Sequence, residues 1–209
     1  MDPRFSEIVT TEAQFRNVIG NPSHRVLQKQ VNALDDNCRA FIAKCPFLLI
    51  ASSDAKGNMD VSPKGDPAGF VRVLDDRTLA IPDRPGNRRA DTFGNLLQNP
   101  NVGILFLIPG KSETLRIGGA ASIVRDQWLR DEMAIAGKAP DFAIVVHVKE
   151  VFFHCSKCVI RSKLWDGADW PELAGLPTLA QTMVDAGKLK ETVEEMQALI
   201  EKDAKERLY

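Results

Sequence analysis

The chain of 209 residues carries 27 Lys and Arg against 28 Asp and Glu, which gives a formal net charge of -1 at pH 7. Its 44% hydrophobic and 26% charged residues are typical of a globular protein that buries a sizeable core. The charge balance argues against a nucleic-acid partner, and the lack of a polybasic tail or a long apolar run argues against a membrane partner. The polar start MDPRFSEIVT does not have the form of a signal peptide, so we expect a cytoplasmic protein.

The first part of the chain, residues 1–45, favours helices. A capping-box pattern begins at Thr11, where a hydroxyl residue precedes a glutamine by three positions. Asp35 or Asp36 can cap a later helix, which Pro46 ends.

The middle of the chain alternates short apolar runs with turn signals. PFLLIASS and MDVSPKG flank the turn Asp54–Asn58, and FVRVLDDRTLAIP has the same strand-turn-strand form. VGILFLI, TLRIGGAASIV and FAIVVHVKEVFFHC indicate three more strands, and Gly118–Gly119 predicts a bulge or bend in one of them. The pattern therefore favours an antiparallel barrel of six or seven strands with helices at both ends.

Helices are also predicted between and after these strands. Pro85–Gly86 breaks the chain, and Asn87 can cap a helix over Arg88–Gln98. Three further helices are predicted, over Asp126–Ala136, Ser156–Trp165 and Leu189–Leu208. We interpret the last one, which is charged and amphipathic, as a solvated cover on the barrel or on a dimer rather than a partner-binding helix.

Together these elements divide the chain into three parts of one structural domain. Residues 1–45 form a helical segment that packs on the barrel, residues 46–165 form the barrel, and residues 166–209 form a loop and helix.

Three cations stand beside turns at the ends of apolar runs, and they are candidates for holding a phosphate. Arg88 and Arg89 follow Gly86, where a helix start would add unpaired N–H groups to two guanidinium groups that bind phosphate in bidentate fashion. Lys64 adds a point charge at the end of a strand. The alternative is that all three belong to a solvated surface. Weaker candidates are Arg72, Arg84 and Arg116. The first and last of these alternate with apolar residues and are expected to point outward.

A CxxC pair follows His154, at Cys155 and Cys158. One such pair lacks the second pair of ligands that a structural zinc site needs, so we predict no metal. We interpret the four cysteines of the chain as packing thiols, and keep a zinc or thiol-redox role as the alternative.

Taken together, the motifs VSPKGDPAGFV, IPDRPGNRR and HCSKCVIRSKLW resemble the pyridoxamine 5'-phosphate oxidase-like FMN-binding split-barrel family, and within it a bacterial branch of flavoproteins whose reaction is unassigned. The resemblance runs from about Phe41 to Trp165. It implies a mainly β fold with flanking helices (α+β): a six- to seven-stranded antiparallel split β-barrel that binds FMN in a groove between the subunits of a homodimer.

The resemblance also implies roles for residues of this sequence. Lys64, Arg88 and Arg89 match the positions that hold the FMN phosphate. The other contacts expected from the same subunit are Ser62, Pro63, Ile81, Pro82, Asp83 and Asn87. The second subunit would contribute His154, Lys157, Arg161 and Trp165. For His154 a packing or capping role is the alternative, and for Trp165 it is an anchor in the dimer interface. No catalytic residue follows from the motifs.

We therefore expect an FMN-dependent oxidoreductase acting on an unidentified small molecule. The alternative is a non-catalytic flavin- or haem-binding protein for storage or sensing. The chain lacks the Arg-x-His type signature that pyridoxamine phosphate oxidases use for the substrate phosphate, so that particular substrate is not expected.

Overall fold

The computed structural model describes residues 2–209, which contain eight α-helices, one 3-10 turn and seven β-strands. The strands are β1 (Phe47–Ser53), β2 (Met59–Gly65), β3 (Arg72–Val73), β4 (Thr78–Pro82), β5 (Asn101–Leu107), β6 (Thr114–Val124) and β7 (Ala143–His154). The helices are α1 (Glu12–Ile19), α2 (His24–Gln28), α3 (Asp36–Ala43), α4 (Asp91–Leu96), α5 (Gln127–Glu132), α6 (Lys157–Ser162), α7 (Leu179–Gly187) and α8 (Val193–Glu206). The 3-10 turn is Gly167–Asp169.

All seven strands form one sheet in the order β2-β1-β5-β6-β7-β4-β3, and every neighbouring pair is antiparallel. The hairpins β1–β2 and β3–β4 join strands that follow each other in the sequence, as their turn signals predict. The mainly β, antiparallel fold with flanking helices is thus confirmed, with seven strands.

The core lies on the inner face of this sheet. Along β1 and β5 buried residues alternate with partly exposed ones, which is the period of a strand with one face buried. The inner positions that are at most 1% exposed include Leu48, Ile50, Ile104, Phe106, Leu115, Ile117, Ile144 and Val146. Burying each of these side chains stabilises the fold by about 1.5–3 kcal/mol.

The predicted irregularity at Gly118–Gly119 is a β-bulge between β6 and β7. Gly118 pairs with Glu150 and Gly119 pairs with Val148, so Lys149 is the extra residue on β7. The bulge bends the longest strand pair of the sheet.

At the start of the chain, the two predicted capping residues are confirmed. Thr11 forms a capping box at α1, and the carboxylate of Asp35 accepts a hydrogen bond of 2.8 Å from the backbone N–H of Cys38 at α3. α3 buries Cys38, Phe41 and Ile42, whereas α1 and α2 bury none of their residues.

The helix predicted over Arg88–Gln98 is shorter than expected, because its first turn does not form. Arg88 and Ala90 adopt left-handed backbone conformations, with φ of 62° and 57°, and α4 begins only at Asp91. Asn87 does not cap this helix. Its side-chain oxygen instead accepts a hydrogen bond of 3.0 Å from the backbone N–H of Arg89, which makes an Asx turn.

The C-terminal part contains one helix more than predicted. α7 lies in a stretch that the sequence pattern leaves as a connection, and Thr178 caps it. α8 is capped by Thr192 and pairs with α7, and the two helices bury Ala180 and Met196. Across residues 2–209, every helix is too short or too polar to cross a membrane.

Candidate functional site

A cavity of about 630 Å³ opens at the edge of the sheet. Its walls come from β2, from the loop between β4 and α4, from the loop before β7 and from the segment after α8. This volume lies within the range of about 300–1,000 Å³ that is typical of sites for small molecules and cofactors. The cavity therefore has room for a ligand of that class.

β2 forms one wall with Asp60, Val61, Ser62, Pro63 and Lys64. It is an edge strand, hydrogen-bonded only to β1. An edge strand tolerates a proline because the missing N–H faces no further strand. The local sequence SPK therefore places a hydroxyl, a rigid apolar ring and an ammonium group along the open side of the sheet.

Lys64 and Asp83 face each other across this cavity. The ammonium nitrogen of Lys64 lies 3.8 Å from a carboxylate oxygen of Asp83, and the side chains are 20% and 30% exposed. Burial raises the pKa of Asp83 above its usual value; Lys64 acts in the opposite direction, and Asp141 raises the pKa further. The separation is long for an ion pair, so Lys64 keeps donor capacity for another anion.

The two arginines of the loop before α4 differ in their pairing. Arg89 donates to the carboxylate of Asp91 at 2.7 Å. Arg88 has no ion pair with any residue between 2 and 209, and it lines the cavity. A left-handed conformation at a residue other than glycine costs about 1–2 kcal/mol, and such strain concentrates at functional sites. The loop thus places Arg88, which has no acidic partner among the described residues, at the cavity, although the left-handed backbone there is strained.

Arg84 has a structural role instead. Its Nε donates to Asp66 at 2.6 Å and its NH2 group donates to the carbonyl of Met133 at 2.7 Å. The side chains of Arg84 and Asp66 are only 14% and 1% exposed. Arg72 donates to the carbonyl of Glu132, so neither of these arginines offers its guanidinium group freely.

The predicted site residues fall into two groups. Seven of them line the cavity: Ser62, Pro63, Lys64, Asp83, Asn87, Arg88 and Arg89. Ile81 and Pro82 do not reach its wall, because both are buried and Ile81 belongs to the core on the inner face of β4.

The second group lies at the other end of β7. His154, Lys157 and Arg161 are exposed, and Trp165 donates from its indole N–H to the carbonyl of Lys111 at 2.9 Å. The cavity borders the start of β7, and this strand of 12 residues spans about 36 Å at about 3.3 Å per residue. Within one chain these residues and the cavity do not meet.

Two of the four cysteines are packing thiols, as predicted, and two are not. Cys38 and Cys45 are buried, whereas Cys155 and Cys158 are exposed, so the packing interpretation is wrong for the CxxC pair. In residues 2–209, no group of three or more His, Cys, Asp or Glu side chains is arranged to hold a metal ion.

Several residues that line the cavity belong to none of the predicted site motifs, notably Lys138, Phe142 and Tyr209. Phe142 precedes β7 and packs edge-to-face on Phe93 of α4, with ring centroids 5.4 Å apart. The only local signal for Phe142 was its place at the start of an apolar strand.

The antiparallel sheet and its edge cavity define a protein of the split-barrel class. Residues 34–155, more than half of the chain, match the family model described as pyridoxamine 5'-phosphate oxidase. The chain therefore belongs to the pyridoxamine 5'-phosphate oxidase family, which confirms the resemblance of its motifs.

Several solved structures are similar to part of the chain. HupZ from Group A Streptococcus is 20% identical, with a TM-score of 0.46 over 57% of this chain and 92% of HupZ. General Stress Protein 26 from Bacillus anthracis is 14% identical, with a TM-score of 0.43 over 55% and 88%. A pyridoxamine 5'-phosphate oxidase-related, FMN binding protein from Nostoc punctiforme is 15% identical, with a TM-score of 0.37 over 53% and 73%. A search of curated proteins returned no match. None of these likenesses identifies a ligand of this chain.

Proposed function

We propose that the chain binds FMN in the edge cavity, forms a homodimer that completes the site, and acts as an FMN-dependent oxidoreductase on a small molecule. The observation that carries the proposal is the meeting of Lys64, Arg88 and Arg89 on the walls of one cofactor-sized cavity. Family membership supports flavin as the ligand class.

The cations fit a phosphate. The phosphate of FMN carries a charge between about -1.5 and -2, and guanidinium groups bind such oxygens through two parallel hydrogen bonds. Arg88 has no competing ion pair among residues 2–209, and Arg89 and Lys64 each have a single acidic partner. A phosphate bound between Lys64, Arg88 and Arg89 would have its negative charge neutralised by these three cations.

The remaining walls fit a flat apolar ring. Val61, Pro63, Phe93 and Phe142 line the same cavity, and none of them carries a polar side-chain atom. Ser62 also lines the cavity, and its hydroxyl can donate to a ring heteroatom. FMN, when bound, supplies the redox chemistry; these side chains would orient the ring and exclude water from it.

The outer face of the sheet supports the homodimer. A row of five residues crosses this face, and each residue stands directly opposite the next one on the neighbouring strand: Pro63, Leu49, Leu105, Arg116 and Phe152. Four of these five side chains are apolar. Leu49, Leu105 and Phe152 remain partly exposed in a single chain, and a second copy would cover them.

A second copy on that face would also give a role to the residues that the resemblance assigns to the site but that lie far from the cavity. His154, Lys157, Arg161 and Trp165 are too far from the cavity of their own chain, so they can contribute only to the cavity of a partner. The proposed cofactor site is therefore complete only in a homodimer.

Within residues 2–209, the walls that one subunit supplies hold no free ligand for haem iron. Haem iron takes its axial ligand from His, Cys, Met or Tyr. Of the described residues that line the cavity, Tyr209 alone belongs to these types, and its hydroxyl donates to Asp66.

The first experiment is to measure FMN binding to the purified protein and to variants. We expect one FMN per subunit and an oxidised-flavin absorbance spectrum. Arg88→Ala should weaken binding about tenfold to a hundredfold, because a hydrogen bond to a charged group contributes about 1.5–3 kcal/mol. Arg89→Ala should cost less, because Asp91 already engages this side chain.

Arg72→Ala is the matched control, since it removes the same charge from an exposed arginine that does not line the cavity. If the double variant Arg88→Ala/Arg89→Ala binds FMN as tightly as the unaltered protein, the phosphate assignment is wrong.

Redox activity and assembly need separate measurements. Anaerobic mixing with NADH or NADPH should bleach the flavin absorbance; no reduction by either would favour a non-catalytic flavin-binding protein. Leu105→Asp should convert the dimer to monomers in analytical ultracentrifugation, because it buries a charge in the proposed interface.

A further inference from the structure

The segment that follows α8 crosses to the edge of the sheet and is held there by three contacts. The hydroxyl of Tyr209 donates to a carboxylate oxygen of Asp66 at 3.0 Å, which joins residues 143 positions apart. The guanidinium carbon of Arg84 lies 5.7 Å from the centre of the Tyr209 ring. The ammonium group of Lys138 donates to the backbone carbonyl of Tyr209 at 2.9 Å. The three partners come from three different parts of the chain.

This segment lies over one end of the edge cavity. Arg207 and Tyr209 line the cavity together with Lys64 and Arg84. Asp66, which holds the Tyr209 hydroxyl, directly follows β2, only two residues beyond Lys64. The tyrosine is therefore placed where β2 ends, beside the lysine that we assign to the ligand.

The contact at Tyr209 is built so that it can open without unpairing a buried charge. The side chain of Asp66 is 1% exposed, and its second oxygen accepts from Arg84 at 2.6 Å. When the tyrosine leaves, this carboxylate keeps its arginine. α8 buries only Met196, and Leu208 is 64% exposed, so little apolar surface resists the movement.

We propose that residues 207–209 form a strap that closes this end of the cavity and must release for a ligand to enter or leave, with the Tyr209–Asp66 hydrogen bond as its latch. The proposal rests on the proposed FMN site for the identity of the ligand. It makes Tyr209 a residue that controls access and takes no part in the redox step.

The test compares FMN binding kinetics in the full-length protein and two variants. Tyr209→Phe removes only the hydroxyl that reaches Asp66. Leu199→Ala is the control, because that side chain is exposed on α8, outside the strap, and does not line the cavity. Loss of one intramolecular hydrogen bond should raise both the association and the dissociation rate about threefold to tenfold. Leu199→Ala should leave both rates unchanged. Unchanged rates in Tyr209→Phe would overturn the proposal.

A second readout does not depend on FMN. Tyr209 is the only tyrosine of the chain, so the phenolate absorbance in an alkaline titration reports this residue alone. The hydrogen bond to Asp66 raises the pKa of Tyr209, burial and the charge of Asp66 add to this, and Arg84 opposes it; Lys138 faces the same residue. We expect the tyrosine of the FMN-free protein to titrate above its usual range.

The two readouts separate the two ideas. If the unaltered protein fails to bind FMN, the proposed function is wrong and the titration still tests the latch. If Tyr209 titrates at its usual pKa, the latch is open in solution and the strap is refuted, whatever the protein binds.

Discussion

Replacing Gly119 by alanine should destabilise the fold strongly, because this position in the β-bulge has no room for a side chain. A Cβ atom at Gly119 would lie 2.4 Å from the carbonyl oxygen of His147 and 2.9 Å from a methyl group of Val146. The first of these atoms belongs to the backbone of β7, so it cannot move aside by a change of rotamer.

The cost follows from how far the strands must separate. Ordinary carbon–oxygen contacts are about 3.3 Å or longer, so β6 and β7 would have to part locally by close to 1 Å. Overpacking of this kind costs about 1–3 kcal/mol, and the rigid backbone at Gly119 places the expected value at the upper end. For a chain of this size, about 3 kcal/mol lowers the melting temperature by about 6–12 °C.

Gly118→Ala is the matched control, one residue away in the same bulge. A Cβ atom at Gly118 would meet the side chain of Glu150 at 2.8 Å, and this flexible side chain can swing away. We expect a loss below about 1 kcal/mol. Urea unfolding followed by circular dichroism measures both variants. If Gly118→Ala costs as much as Gly119→Ala, the bulge backbone is not the source of the strain.

Four further outcomes are expected. Ala90→Gly should raise the unfolding free energy by about 0.5–1 kcal/mol in urea titration, since glycine adopts the left-handed conformation without steric cost; a loss would refute the strain. Asp83→Asn should flatten the pH dependence of the unfolding free energy in mild acid. Because the pKa of Asp83 is raised in the folded protein, the protonated carboxyl stabilises the fold fully below the usual carboxyl pKa, and this stabilisation is lost as the pH rises through the pKa of the folded state. The same change should tighten FMN binding by freeing Lys64, and looser binding would contradict that competition. Burial raises the pKa of Cys38 to about 11 and also raises that of Cys45, so only two of the four thiols should react quickly with a disulfide reagent before unfolding.

The strands and their turns were predictable because their signals are local. In β1 the buried positions Leu48 and Ile50 alternate with partly exposed ones, and that period needs no knowledge of the partner strand. The turn after β1 is likewise encoded nearby: Asp54 accepts backbone hydrogen bonds from Lys56 and Asn58. Short-range chemistry of this kind can be read from the residues directly.

The shape of the cavity depends on features with no local signal. Arg88 and Ala90 adopt left-handed conformations that glycine normally supplies, so the pattern predicted a helix start where the chain forms a bend. Tyr209 meets Asp66 across 143 positions, and neither residue carries a motif that points to the other. Tertiary contacts determine both the left-handed bend and the Tyr209–Asp66 contact. The motifs therefore pointed to the cations of the cavity but not to Tyr209.

In the proposed homodimer, the position of the cavity at an edge strand would couple FMN binding to assembly. β2 has no second neighbour in the sheet. Its outward residues Val61 and Pro63 both line the cavity, and Pro63 also belongs to the apolar row that we assign to the interface. If FMN contacts both subunits, linkage requires that dimer formation strengthen FMN binding by the same factor by which FMN strengthens the dimer. Dilution below the dimer dissociation constant should therefore release FMN, and saturating FMN should lower that constant in sedimentation experiments. FMN occupancy that is independent of protein concentration in a dissociating dimer would place the whole site within one subunit.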